Sequence, residues 1–157
     1  MRVRLLALGT RMPGWVEAGT SEYVRRLSGD IRLEIEEISL PKRGSNADTG
    51  ALVAREAEAL RKRLAKYPGA MTVALEVKGR RLTTEKLATE LGTLRDLGQD
   101  LCILVGGPDG LCPALSAECR QQWSLSDLTL PHPLVRILVA EQVYRAWTIL
   151  SGHPYHR

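Results

Sequence analysis

Two prolines, Pro131 and Pro133, divide the stretch from Trp123 to Trp147 into two incompatible patterns. Before them, Leu125, Leu128 and Leu130 alternate loosely with Ser126, Asp127 and Thr129, which reads as the end of a strand opening into a loop. After them, Val135, Leu138, Val139, Gln142, Val143, Ala146, Ile149 and Leu150 recur at three and four residues, the spacing of one helical face. Proline withholds a backbone donor and cannot continue a central strand, yet it fits the first turn of a helix. The stretch therefore reads as strand, stiff loop, long helix. Glu141 stands one turn before Arg145, the favoured order for an ion pair along a helix. Leu134, Val135, Ile137, Leu138, Val139 and Val143 spread over more than one face between Leu134 and Leu150. That exceeds what a surface helix of a small monomer carries, so a homodimer built on this helix is expected, with burial inside one domain as the alternative.

The rest of the chain alternates in the same way. Val3–Leu8 reads as a buried strand ended by Gly9, and Trp15, Gly19, Glu22, Tyr23 and Leu27 mark a helix that stops before Ser28 and Gly29. Ile31, Leu33 and Ile35 alternate with charged residues, a strand with one wet face. Residues 41–49 have turn chemistry and no periodicity, which predicts a mobile loop. A helix is expected over about 51–66, a third strand over Met71–Val77, then a basic turn at Lys78, Gly79, Arg80 and Arg81, and a helix capped by Thr84. Leu101–Val105 is a short continuous apolar run, the mark of a strand covered on both faces. Gly106, Gly107, Pro108, Asp109 and Gly110 follow it, then a short helix over about 114–121. Five strands separated by helices predict an α/β fold: a mostly parallel five-stranded sheet with helices on both faces. At 157 residues it is read as one domain over 1–157.

Ligands of such sheets lie beyond the carboxyl ends of the strands. Leu75, Gly106 and the loop Leu125, Ser126, Asp127, Leu128, Thr129 and Leu130 all fall there, so they form one candidate pocket with apolar walls and peptide edges suited to an adenosine. Gly106 has no side chain, which would let a flat ligand approach the backbone; a plain strand-to-helix turn explains it as well. The Gly-x-Gly-x-x-Gly fingerprint is absent, which disfavours a Rossmann dinucleotide site. Twenty-two Lys and Arg against eighteen Asp and Glu give +4 and a pI near 9.2, compatible with an RNA partner although the charges are interleaved. With no Phe the chain lacks the stacking platform of common single-strand RNA modules. Cys102, Cys112 and Cys119 have neither zinc spacing nor an even count, and read as buried thiols of a reducing compartment. No signal peptide or membrane-spanning run is present, so the expected location is cytoplasmic, with no metal and no membrane partner.

Leu-Thr-Leu-Pro-His-Pro-Leu-Val-Arg from Leu128, Glu-Gln-Val-Tyr-Arg-Ala from Glu141, and His-Pro-Tyr-His-Arg from His153 closely resemble the bacterial ribosomal RNA large subunit methyltransferase H family. Those enzymes are the SPOUT-class pseudouridine-N3 methyltransferases of 23S rRNA, and the resemblance runs from Val3 to Arg157. It implies a C-terminal trefoil knot, a homodimer, S-adenosylmethionine held at Leu75, Gly106 and Leu125 through Leu130, and methyl transfer to 23S rRNA within the ribosome. It also places the Tyr-His-Arg ending at the active site. Asp109 departs from the pattern, where glutamate is common.

Methyl transfer from a sulfonium needs alignment above all, and an imide nitrogen must also lose its proton. The candidates are Arg145, Tyr155, His156 and Arg157, with His156 foremost as proton acceptor because an unperturbed imidazole titrates nearest neutrality. Arg145 reads equally well as the salt-bridge partner of Glu141. His132, between its prolines, reads as a hydrogen bonder that fixes the loop, and His153 as part of the helix stop with Gly152. Two other readings stay open: a nucleotide-binding α/β enzyme of ordinary doubly wound topology, and a non-catalytic RNA-binding or ribosome-associated factor.

Overall fold

The computed structural model describes residues 1–42 and 48–156. Most of the loop expected over 41–49 lies outside them, as do Arg157 and the His156 side chain. In chain order the elements are β1 (Arg2–Leu8), α1 (Gly14–Arg26), β2 (Arg32–Ile38), α2 (Thr49–Leu64), β3 (Met71–Arg81), α3 (Thr84–Asp96), β4 (Leu101–Val105), α4 (Pro113–Glu118), β5 (Gln121–Ser124) and α5 (His132–Leu150), closed by a 3-10 turn over Pro154–His156. The sheet is wholly parallel, in the order β2-β1-β4-β3-β5. Every residue of β4 is buried, as its unbroken apolar run requires.

Helices cover both faces. Val3, Leu5, Ala7, Val73, Ile103 and Val105 meet α3 and α5 on one side, where α5 lies between α1 and α3. Leu6, Leu8, Ala74 and Leu104 meet Ala57 and Leu60 of α2 and Leu115 of α4 on the other. Each leucine-sized side chain so buried is worth roughly 2 kcal/mol, whereas an exposed pair such as Lys62–Glu58 contributes at most about 1. The strands at the centre, not the surface charges, hold the sheet together.

Four local readings are corrected. The basic turn at Lys78–Arg81 belongs to β3, which continues to Arg81: Leu75 and Arg80 both register with Trp123, so 76–79 form an excursion from the ladder. The cap of α3 is Thr83, whose hydroxyl accepts from Lys86 N at 3.3 Å; the Thr84 hydroxyl instead donates to Gln142 Oε1 at 2.9 Å. β5 ends at Ser124, and the alternation beyond it belongs to a loop that leaves the sheet. Finally, the fully buried residues of α5 include Arg136, Val139, Ala140, Val143, Tyr144 and Ala146, while Leu138 is 37% exposed. Contact with α1 and α3 together rotates the buried face away from the one read from spacing.

Candidate active site

At the carboxyl ends of β3, β4 and β5 the structure opens two adjoining hollows of about 130 and 150 Å3. The first is lined by Leu75 and the excursion residues Glu76 and Val77, by Val105, by Trp123 and Ser124, and by Leu125, Ser126, Leu128, Leu130 and Val135. The second lies between α3 and α5 and shares Leu75, Trp123, Ser124 and Leu125, which therefore form the partition. Small polar bonds shape the loop after β5. Ser124 Oγ donates to the Ser126 carbonyl at 3.0 Å, and Leu128 N donates to Ser126 Oγ at 3.0 Å. Asp127 turns outward to pair with Arg81. Of the pocket candidates, Leu75, Leu125, Ser126, Leu128 and Leu130 line the cleft, while Asp127 and Thr129 do not.

Gly106 follows the lining residue Val105, but its lack of a side chain has a cause other than the one expected. A Cβ there would lie 2.4 Å from the Gly110 carbonyl carbon and 2.6 Å from Leu111 N. The chain's own turn, bridged between Gly107 and Gly110, therefore requires glycine whether or not a ligand approaches. Trp123, Val77, Val105 and Val135 were not singled out from the sequence. The strand-end rule that picked Leu75 would have reached Val77 and Val105 had it been applied to every strand.

Arg136 is the other omission. It is 2% exposed, with Nη1 2.5 Å from Glu37 Oε1 and Nη2 2.7 Å from the Gly9 carbonyl oxygen, and Nε and Nη2 at 3.2 and 3.1 Å from His132 Nε2. His132 also hydrogen-bonds the Gly106 backbone. Burial, then the Arg136 charge, hold its pKa below the usual histidine range, so the ring is neutral. The loop-fixing role read for His132 matches this geometry. The first turn of α5 thus fills the gap between the ends of β1 and β4, where chain connections diverge and an ordinary doubly wound enzyme would seat its ligand. The cleft is displaced toward β3 and β5.

The candidates for proton chemistry lie elsewhere. The Tyr155 ring packs edge-on against Tyr144 at 4.7 Å, its hydroxyl lies 3.4 Å from Glu141 Oε1, and the Arg145 guanidinium sits 5.0 Å above it. Burial first, then bonding to Tyr23 and the nearby Glu141 charge, push the Tyr155 hydroxyl up to about 12, so it keeps its proton near neutrality and serves as a donor. Arg145 is paired with Glu141 at 2.6 Å, and that hydrogen bond raises its pKa. His153 receives Tyr155 N at Nδ1 at 3.2 Å and donates its own N–H to the Thr148 carbonyl, finishing the helix stop. Neither Arg145 nor Tyr155 lines either hollow. The structure does not bring this group together with the strand-end residues of the same chain.

A family model described as "Predicted SPOUT methyltransferase" matches residues 1–156. The chain is 62% identical to the ribosomal RNA large subunit methyltransferase H of Alcanivorax borkumensis and 55% identical to that of Pseudomonas paraeruginosa, each across the full length of both proteins. The chain belongs to the ribosomal RNA large subunit methyltransferase H family of SPOUT methyltransferases. The fold agrees. A methylase family protein from Haemophilus influenzae superposes with a TM-score of 0.58 at 12% identity, covering 99% of this chain and 70% of that one. Lpg2936 of Legionella pneumophila, solved with the bound cofactor SAM, gives 0.53 at 9% identity, covering 94% and 66%.

For a SPOUT methyltransferase the cleft is chemically apt: leucines and valines for a flat heterocycle, peptide edges and serine hydroxyls for its polar rim. No group of side chains suited to a metal ion occurs among the described residues, and no described helix is long and apolar enough to cross a membrane.

Proposed function

We propose that this chain binds S-adenosylmethionine in the strand-end cleft and transfers its methyl group to N3 of a pseudouridine in 23S rRNA, acting on assembled ribosomes as a homodimer. The observation that carries the reading is the cleft itself: five of the eight residues expected to hold the cofactor line one hollow, in a chain 62% identical to a ribosomal RNA large subunit methyltransferase H. A trefoil knot formed by the segment from β5 through α5 belongs to the same reading.

When bound, the cofactor supplies an electrophilic methyl group, so the protein's tasks are to align the acceptor and manage its proton. Leu75, Leu125, Leu128 and Leu130 would exclude water from the cofactor, with Ser126 and the peptide groups meeting its polar edge. Arg145 would lower the cost of charge developing on the ring oxygens, and Tyr155 would donate a hydrogen bond. His156 is the proposed proton acceptor and Arg157 the proposed phosphate contact.

The dimer follows from geometry that one chain leaves incomplete. Leu134 and Leu138 on α5 are 40% and 37% exposed, and Leu125, Leu128 and Val77 continue the apolar band to the rim of the cleft. A second copy covering this band would bury it and could carry its own Tyr155–Arg157 toward the neighbour's cleft. Calorimetry with S-adenosylmethionine and no added metal, joined to transfer of labelled methyl to whole ribosomes, separate subunits and free 23S rRNA, tests the reading. Tight cofactor binding with turnover on ribosomes only is the expected result. Equal turnover on free rRNA removes the ribosomal specificity, and absence of cofactor binding removes the function.

A further inference from the structure

Between the ends of β1 and β4, four groups on separate parts of the chain form one connected path: Glu37 of β2, Arg136 and His132 of α5, and the Gly106 peptide. A guanidinium has five donors and no acceptor, so both nitrogens that reach His132 Nε2 must point hydrogens at it. Nε2 therefore presents its lone pair, and the single proton of the neutral ring sits on Nδ1. The bond to the Gly106 backbone is then a donation from Nδ1–H to the Gly106 carbonyl oxygen. Arg136 is itself held by Glu37 and the Gly9 carbonyl, so the direction of every bond in the path is determined.

What lies at the far end of the path matters for the reaction. Gly106 and Gly107 join the lining residue Val105 to the turn closed by Gly110 N donating to the Gly107 carbonyl at 3.0 Å. A glycine pair is the softest junction a backbone has. Engaging the Gly106 carbonyl stops its peptide plane from rotating, and Pro131 and Pro133 stiffen the chain on either side of the donor. We propose that His132 is a positioning residue for the cofactor: by donating from Nδ1 to the Gly106 carbonyl it fixes the β4 turn against which S-adenosylmethionine rests. This rests on the assignment of the strand-end cleft to that cofactor.

Two substitutions separate this role from simple support of Arg136. The amide nitrogen of asparagine can occupy the place of Nδ1, whereas the amide oxygen of glutamine can occupy that of Nε2. His132→Asn keeps the donor to Gly106 and gives up the acceptor for Arg136; His132→Gln does the reverse. Affinity for S-adenosylmethionine is measured by calorimetry on the full-length protein, with thermal unfolding as the check on folding and KM and kcat as the second readout. Loss of the donor in His132→Ala and His132→Gln should weaken cofactor binding about tenfold, the scale of one net hydrogen bond, raising KM for the cofactor more than it lowers kcat. His132→Asn should recover most of what His132→Ala loses. The opposite ranking, with the glutamine variant normal and the asparagine variant impaired, overturns the proposal in favour of a purely structural histidine. If a variant does not fold, the wild-type protein still decides. Nitrogen-15 spectra of the imidazole should show the proton on Nδ1, with a resonance that shifts when S-adenosylmethionine is added; a proton on Nε2, or a resonance that the cofactor leaves unmoved, sinks the idea. Failure of the wild-type protein to bind the cofactor at all would instead overturn the assignment of the cleft.

Discussion

Arg136 joins α5 to β1 and β2 by burying its charge against one carboxylate and two backbone carbonyls, those of Leu8 and Gly9. Removing one partner of a buried ion pair leaves the rest uncompensated, and Arg136→Ala should cost about 3 kcal/mol, toward the low end for such pairs because Glu37 retains some contact with water. A lower urea midpoint at unchanged slope would measure that. His132 adds a pH dependence whose sign is determined. Its folded pKa is lowered, so the unfolded chain binds the extra proton more readily; the contribution is present above roughly pH 6.5, the ordinary histidine value, and is lost as pH falls below it. His132→Asn should therefore flatten the acid side of the stability profile, a change visible in urea midpoints between neutral and mildly acid pH. The thiols make a further prediction. Burial holds Cys102 and Cys119 at a pKa of about 11, while Cys112 is only half-buried, so iodoacetamide should label Cys112 first in the native protein and all three after denaturation. The reading of three buried thiols was thus right for two. Arg136 escaped the sequence because an arginine between apolar residues reads as solvated. What buries it are groups about 100 residues or more away, which no local spacing records.

At the scale of elements, strand and helix identities were legible because each carries its own period, and the continuous run of β4 announced a strand covered on both faces. The excursion in β3 was not legible. Lys78, Gly79, Arg80 and Arg81 have the composition of a turn, and only the pairing of both Leu75 and Arg80 with Trp123 shows that the strand resumes. Gly79 is where that pairing is tightest: a Cβ there would lie 2.6 Å from the Trp123 carbonyl carbon and 2.9 Å from that of Gln122. Gly79→Ala should push β3 from β5 and cost about 1–3 kcal/mol, the usual penalty of forcing extra atoms into a packed site. Because Val77 and Trp123 both line the cleft, cofactor affinity should fall along with the melting temperature. A variant that melts lower but binds S-adenosylmethionine normally would show that the excursion is not part of the site. The pocket was legible in part for a related reason. Strand ends can be read from apolar runs, so Leu75 and the leucines of the loop were found, whereas the outward turn of Asp127 toward Arg81 depends on how the loop leaves the sheet.

For the molecule as a whole, the separation between the cleft and the tail is the feature to be explained. Tyr155 rests on Tyr144 and Glu141 of its own chain, and neither it nor Arg145 reaches the hollows lined by Leu75 and Leu125. If two copies form one site between them, a protomer with an intact cleft and one with an intact tail should together do what neither does alone. Deleting residues from Pro154 onward should leave the fold and cofactor binding in place, at a cost near 1 kcal/mol for the lost contact with Tyr144, and should abolish turnover. Leu125→Arg, at a half-exposed rim position that tolerates a longer side chain, should abolish cofactor binding and leave the tail untouched. Each variant alone is then inactive. Mixed at equal amounts and allowed to exchange, half of the dimers are hybrids with one competent site of two, so turnover on ribosomes should return to about a quarter of the wild-type rate. A mixture as inactive as its components, with exchange verified by mass spectrometry, would mean that each tail serves its own chain. Recovery in the mixture would place Tyr155, His156 and Arg157 at the partner's cleft, a relation that no single sequence displays because the two halves of the site never meet within one chain.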